Sequence, residues 1–243
     1  MMTKGVILAG GTGSRLMPLT RVTNKHLLPV GELPMILHSI KKMVNFGIMD
    51  IMIVTGTEHM GDMISLIGSG GSYRCDCTYK IQDKPDGIAG ALSLCERFVG
   101  DDSFVVILGD NIFQAGLDDI VNKFLKTKNA RGYLPSCALA LKKVEDPARF
   151  GVAEVEGDTI IGIEEKPEHP KSDLCTTGIY VYDHHVFEII RGLKKSARGE
   201  YEITDVNNQY ISSGGATFVE LRGWWTDAGT HDSYYHANMK IRE

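Results

Sequence analysis

Through the first half of the chain, short unbroken apolar runs alternate with longer stretches whose apolar residues recur every third or fourth position. Val6 to Leu8, Ile51 to Val54 and Phe104 to Leu108 are such runs and read as buried strands. Thr78 to Gln82 alternates less cleanly and adds a further strand. Pro34 to Phe46 carries Met35, Ile36, Ile40, Met43 and Val44 at helical spacing, with Pro34 suited to the first turn and Gly47 to the position past the last. Helices are also expected over His59 to Ile67, closed by Gly68, over Ala89 to Phe98 and over Leu117 to Lys126. This alternation predicts an α/β fold built on a parallel sheet with helices on both faces.

After about Arg131 helices become fewer. Cys137 to Leu141, Gly151 to Val155, Ile160 to Glu165, Thr177 to Tyr182 and Ala216 to Leu221 are strand-like, whereas His184 to Arg191, Ile203 to Ile211 and Thr230 to Ile241 read as helices. No Pro/Ser-rich run, charge block or repeat interrupts the chain. One mixed-sheet domain over residues 1–243 is therefore expected, in two halves, 1–130 and 131–243.

The 243 residues can bury a large core, and 43% hydrophobic with 23% charged content is that of a globular protein in water. A net charge of −5 gives no electrostatic case for nucleic acid or an acidic membrane, so an anionic substrate must be held by a few local cations. The five cysteines include no C-x-x-C pair and are expected as free, mostly buried thiols. The first apolar run is too short for a signal peptide, and none approaches the ~20 residues of a membrane span. A cytoplasmic protein is expected.

Candidate chemistry begins behind the first strand. Gly10, Gly11 and Gly13 form a loop almost without side chains, which lets backbone N–H groups approach an anion. Arg15 adds a forked cation and Lys25 a second positive charge. The dinucleotide fingerprint G-x-G-x-x-G fits Gly11 and Gly13 but fails at Leu16, and the P-loop fails because Ser14-Arg15-Leu16 stands where Gly-Lys-Ser/Thr is needed. Gly109-Asp110-Asn111 follows the strongest strand. In a parallel sheet ligands lie beyond the carboxyl ends of strands, which puts Asp110 in the same crevice as the glycine loop and makes it a natural Mg2+ ligand; a turn or helix-capping aspartate is the alternative.

Leu8-Ala9-Gly10-Gly11-Thr12-Gly13-Ser14-Arg15-Leu16, with Pro18-Leu19-Thr20 and Asn24-Lys25-His26-Leu27-Leu28-Pro29-Val30, resembles the signature of the sugar-1-phosphate nucleotidylyltransferases, and most of all those that use dTTP and glucose 1-phosphate. The resemblance covers nearly the whole chain. It implies the nucleotide-diphospho-sugar transferase fold, a Rossmann-like mixed, mostly parallel sheet, with residues 1–130 binding nucleotide and 131–243 binding sugar phosphate. Trp225-Thr226-Asp227-Ala228-Gly229-Thr230 matches the segment that supplies the family's second metal carboxylate, so Asp110 and Asp227 would hold Mg2+, and Trp225 would line the sugar pocket. Trp224 is expected to serve packing.

Other site residues follow from the same resemblance. Leu8, Gly10, Gly11, Thr12, Gly13, Gln82, Pro85 and Gly87 would bind the nucleotide. In Glu164-Glu165-Lys166-Pro167, Lys166 would bind the sugar's phosphate and Glu165 its hydroxyls, with Asn111, Gly151, Thr176 and Tyr180 around the hexose. The Gln82 amide could meet N3–H and a carbonyl of thymine or uracil as a matched pair, so by itself it does not separate dTTP from UTP. Gly90 departs from the family, which usually has Gln there, and His26 stands where many relatives carry Gln or Pro; it is expected to pack rather than act as a base. Longer relatives continue past this region with helices that build an oligomer interface and a feedback site, so end-product allostery is expected to be weak or absent. Whether the chain forms a homo-oligomer stays open.

The expected reaction is nucleotidyl transfer from dTTP to glucose 1-phosphate, with Arg15, Lys25, Asp110, Lys166 and Asp227 as the charged set that positions and stabilises. The alternatives are the same reaction with UTP or another base or sugar, and a non-catalytic regulatory relative. The latter would be expected to have lost an acid or a lysine from that set, which this chain keeps.

Overall fold

Alternation along β1 (Lys4–Ala9) divides its side chains between two cores: Ile7 and Ala9 face one side of the sheet, Val6 and Leu8 the other. The computed structural model describes residues 2–131 and 136–243. After β1 come a two-residue hairpin, β2 (Pro29–Val30) and β3 (Leu33–Pro34), then α1 (Met35–Phe46), β4 (Asp50–Gly56), α2 (Met60–Ile67) and β5 (Asp76–Gln82). Next are α3 (Ile88–Ser93), α4 (Glu96–Val99), β6 (Phe104–Leu108), β7 (Asn111–Phe113) and α5 (Asp118–Arg131). The expected change of pattern past Arg131 opens in residues 132–135, outside the described residues. Beyond them lie β8 (Cys137–Lys143), β9 (Gly151–Glu156), β10 (Thr159–Glu165), β11 (Leu174–Tyr182), α6 (Val186–Gly192), α7 (Ile203–Ser212), β12 (Ala216–Glu220), β13 (Trp225–Asp227) and α8 (His231–Lys240).

Among the described residues nine strands drawn from both halves form one sheet, ordered β10-β9-β11-β6-β1-β4-β5, with β8 beside β11 and β12 beside β8. β5, β4, β1 and β6 are parallel, as are β8 and β12; the antiparallel pairs gather around β11 and β9. Helices cover both faces as expected. Ile36, Ile40 and Met43 of α1, Met63 of α2 and Phe124 of α5 fill one core; Leu92 of α3, Phe187 of α6 and Tyr210 of α7 fill the other. Among the described residues no helix is long and apolar enough to cross a membrane, and all five cysteines are free.

Three differences from the sequence reading have local causes. The single helix expected over Ala89 to Phe98 is two, because i→i+3 bonds from Leu94 N to Ala91 O (3.3 Å) and Cys95 N to Leu92 O (3.0 Å) tighten the chain between α3 and α4. α5 runs five residues past the expected Lys126. β7 and β13 pair as a small antiparallel ribbon, Asp227 opposite Asn111, that three-residue segments are too short to announce by periodicity.

Parallel pairing aligns the carboxyl ends of the strands. Leu8 sits opposite Leu108 and Val54, and Gly56 opposite Gln82. The glycine loop, Gln82 and Asp110 therefore leave the sheet on the same edge. β11 runs the other way, with Ile179 opposite Ile107, so Gly178 lies beside Leu108 and Thr176 and Thr177 pass beyond the end of β6 towards that edge. A register break between Thr176 and Tyr180 interrupts its pairing with β8 at that point.

Candidate active site

A cleft of about 410 Å³ opens at this edge. Leu8, Gly10, Gly11, Arg15 and Lys25 line one side. Gly13 turns the loop with φ 69°, and a Cβ there would lie 2.8 Å from Thr20 Cγ2 and 3.0 Å from Lys25 Cβ. The turn leads into a short helix, Ser14 to Leu16, that buries Leu16 and leaves Arg15 at the cleft. A Cβ on Gly11 would meet Lys25 Cε at 3.0 Å, so the bare loop is what lets Lys25 lie beneath it. Thr12 lines a neighbouring 190 Å³ pocket that shares Gly10, Gly11, Gln82 and Pro85, whereas Gly13 shapes the loop without lining either space.

Charge concentrates where the loop meets the β7/β13 ribbon. Lys25 Nζ lies 2.5 Å from Asp110 Oδ2, and Asn111 Nδ2 donates to Asp110 Oδ1 at 3.1 Å. Ala228 N donates to Asp110 O at 2.8 Å, which ties the two acidic segments together. The point where a Cβ on Gly229 would sit is 3.1 Å from Arg15 Nη2, 3.6 Å from Asp110 Oδ2 and 3.7 Å from Asp227 Oδ2. One glycine thus leaves room for two carboxylates and a guanidinium around one spot. Burial works against the Asp110 charge, but Lys25 overrides it and holds the carboxyl well below the usual range. Asp227 goes the other way: burial and then Asp110 push it up to about 6, against the pull of Arg149, Arg15 and Lys25. Two neighbouring carboxylates, one destabilised by the other, are a donor set that fits a hard dication such as Mg2+. Beside them His26 is 1% exposed, and burial, followed by the Lys25 charge, lowers its pKa to about 3. It is a neutral packing residue, bonded through Nδ1 to Asn24 Oδ1 at 2.7 Å.

Gln82, Pro85 and Gly87 line the same cleft. Gln82 Nε2 donates to Asp86 Oδ1 at 2.9 Å and faces Gly87 O at 3.4 Å. The expected matched donor–acceptor pair is thus corrected: the NH2 group is engaged within the protein, and Oε1 is the atom left for a ligand.

Across the cleft lie Gly151, Glu165, Lys166, Thr176, Tyr180 and Trp225. A Cβ on Gly151 would come within 2.7 Å of Thr176 Oγ1, so β9 and β11 approach closely only because residue 151 is glycine. Lys166 has φ 46° and its backbone N–H donates to Phe150 O at 3.0 Å; its Nζ lies 3.6 Å from Glu165 Oε1. Glu165 also accepts from Thr204 Oγ1 (2.6 Å) and Arg198 Nη2 (3.2 Å). Thr204 thus serves Glu165 from the first turn of α7, whose N-cap is Glu202, and Thr230 caps α8. Asn111, 2% exposed, accepts from Trp225 Nε1 (2.7 Å) and Gly178 N (2.8 Å). It binds ribbon, sheet and indole into one wall. The Trp225 ring meets Phe150 edge-on at 5.5 Å, and Trp224 packs on a small core of Leu16, Leu28 and Val30.

Of the residues singled out in the sequence, all but Thr12 and Gly13 line this one cleft. Arg149, Arg198, Glu202 and Thr204 also line it and were not singled out as site residues. The link from Arg198 to Glu165 spans 33 positions and has no local signal in the sequence.

The chain is 41% identical to glucose-1-phosphate thymidylyltransferase of Neisseria meningitidis over 96% of its own length and 81% of the relative's. It is 40% identical to the enzyme of that name from Mycobacterium tuberculosis, over 98% and 82%. A crystal structure from Bacillus anthracis, solved with sucrose and described as a candidate glucose-1-phosphate thymidylyltransferase, superposes with a TM-score of 0.93 at 55% identity, covering 99% of this chain and 96% of that one. UDP-glucose pyrophosphorylase with UDP-glucose shares the fold alone, with a TM-score of 0.82 at 23% identity over 100% and 99% of the two chains. With the nucleotidyl transferase family model matching residues 4–243 as well, the chain belongs to the nucleotidyl transferase family.

Proposed function

We propose that the protein transfers a thymidylyl group from dTTP to glucose 1-phosphate, giving dTDP-glucose and pyrophosphate. The observation that carries this reading is the gathering of Arg15, Asp110 and Asp227 around Gly229, with Lys25 on Asp110, in a cleft whose opposite wall carries Glu165 and Lys166. A phosphate oxygen of glucose 1-phosphate attacks the α-phosphorus in line. The new P–O bond forms as the bond to the β-phosphate oxygen breaks, and pyrophosphate leaves. The nucleophile is already an anion, so no Ser, Cys or His has to be activated. The protein's task is to bring two anions together.

Arg15 would neutralise the departing pyrophosphate, and Lys25 would exchange part of its contact with Asp110 for the triphosphate. Lys166 would aim the attacking phosphate, and Glu165, held by Thr204 and Arg198, would accept hydrogen bonds from sugar hydroxyls. Asp110 and Asp227 would hold Mg2+, which supplies charge neutralisation on the phosphate oxygens when bound. The names of the 40% identical relatives support the choice of dTTP and glucose 1-phosphate.

Pyrophosphate release with glucose 1-phosphate against dTTP, UTP, dCTP and ATP tests this. Activity should be highest with dTTP and should vanish on chelation of Mg2+. Turnover with ATP alone, or none with any nucleotide, would reject the proposal.

A further inference from the structure

We infer that Asp86 sets base selectivity: it fixes the Gln82 amide with its oxygen turned into the cleft, so that among pyrimidines thymine and uracil are accepted and cytosine is turned away. This deepens the proposed nucleotidyl transfer and rests on Gln82 meeting the base.

The orientation of the amide follows from its neighbours. Asp86 Oδ1 and Gly87 O, at 2.9 and 3.4 Å from Nε2, are both pure acceptors. A Gln82 oxygen on that side would face their lone pairs, so the NH2 group must take it. Oε1 then points towards Gly10, where a Cβ would lie 2.7 Å away. Among the described residues no donor reaches Oε1. It is an acceptor waiting at the wall of the cleft.

Asp86 is itself held in place. Its backbone oxygen accepts from Tyr201 N at 2.8 Å, its backbone N–H donates to Lys84 O at 2.9 Å, and Lys195 Nζ lies 3.9 Å from Oδ2. Gly90, buried in α3, makes the space: a Cβ there would overlap Asp86 Oδ1. Glycine disfavours a helix relative to alanine, and here its lack of a side chain is what admits the carboxylate.

Thymine and uracil carry N3–H, which can donate to Oε1. Cytosine N3 carries a lone pair instead, so two acceptors would meet. The amide cannot turn over to suit cytosine without setting its own oxygen against the Asp86 carboxylate. A site built to accept a hydrogen bond rejects a ligand lacking the donor far more strongly than an apolar pocket rejects a change of shape. Asp86 is thus a positioning residue that acts through Gln82.

The test is kcat/KM for dTTP and dCTP with saturating glucose 1-phosphate and Mg2+. Wild type should prefer dTTP by about 100-fold or more; no preference there would overturn both the proposed base reading and the selectivity assigned to Asp86, whereas a preference kept in Asp86→Ala would overturn the role of Asp86 alone. In Asp86→Ala the ratio should fall about tenfold or more, with the KM for dTTP rising more than kcat falls. Asp86→Asn, which can still offer Oδ1 to Nε2, should stay close to the wild-type ratio. Gly90→Ala should displace the carboxylate, behave like Asp86→Ala and add nothing in an Asp86→Ala background. If Asp86→Ala and Gly90→Ala melt cooperatively near wild type and keep its ratio, the inference is overturned. Equal losses for dTTP and dCTP, or equal ratios in Asp86→Asn and Asp86→Ala, overturn it too, because either would reflect structure or charge rather than the acceptor.

Discussion

Asp110 and Asp227 are neighbouring carboxylates with opposite surroundings. Lys25 sits on one, while the other is opposed by burial and by its neighbour. Arg15→Ala and Asp227→Asn should each lower kcat by about a hundredfold or more. Asp227→Asn should leave Tm unchanged or raise it, since the charge it removes is unfavourable in the free protein; near-normal kcat in either variant would contradict the assigned roles. Lys166 is half-exposed and its ion pair with Glu165 is long, so Lys166→Ala should fold normally. Its effect belongs in the KM for glucose 1-phosphate, roughly tenfold upward, with kcat far less changed. His26 gives a pH dependence. It titrates at about 3 in the folded protein against 6.5 for a free histidine, so the unfolded chain takes up the proton first as pH falls. The stability this neutral ring contributes is whole above pH 6.5 and drains away between 6.5 and 3. His26→Gln should flatten the fall of Tm between pH 6.5 and 4; identical slopes for variant and wild type would refute this.

At the level of elements, what was legible in the sequence is what repeats. β1, β4 and β6 are continuous apolar runs, and α1 shows its stripe and its Gly47 stop at φ 95°. The β7/β13 ribbon was not legible, although it places both acids. Three residues carry no period, and their pairing joins positions more than a hundred apart. Asn111 was legible only as a candidate sugar contact, because its bonds to Trp225 and Gly178 are made across the fold. Asn111→Ala would strand the Trp225 indole N–H and the Gly178 amide in a buried wall. A loss of about 2–4 kcal/mol is expected, read as a lower denaturation midpoint with unchanged m-value. A variant as stable as wild type would show that the ribbon does not need this cross-link.

Over the whole molecule, the cleft is walled by both halves of the chain, so a nucleotide bound there adds contacts to both. Mg2+ and dTTP at about a hundred times the dissociation constant should stabilise the fold by ~2.7 kcal/mol, raising Tm by roughly 5–10 °C. UTP should give a shift of the same sign, since uracil offers the same N3–H; no shift with either would mean that the cleft is not the nucleotide site. The α/β class and the sheet's parallel half could be read from alternating runs. The glycine loop and Asp110 could be placed together by the rule that ligands gather at strand ends. Arg149 could not, because no period or glycine loop marks its segment, and Arg198 stands beside Gly199 but reaches Glu165 only across the fold.

α8 packs against the segment that follows the glycine loop. Tyr234 Oη donates to Pro29 O at 2.6 Å, Gly31 N donates to Asn238 Oδ1 at 3.0 Å, and His231 Nε2 lies 2.8 Å from Met17 O. The loop that would cradle the triphosphate is therefore completed by an acid and a helix that lie more than two hundred positions further along the chain. Asp227 and α8 must fold back onto it before the proposed transfer could begin, so the site is assembled only by the whole fold and by no shorter stretch of it.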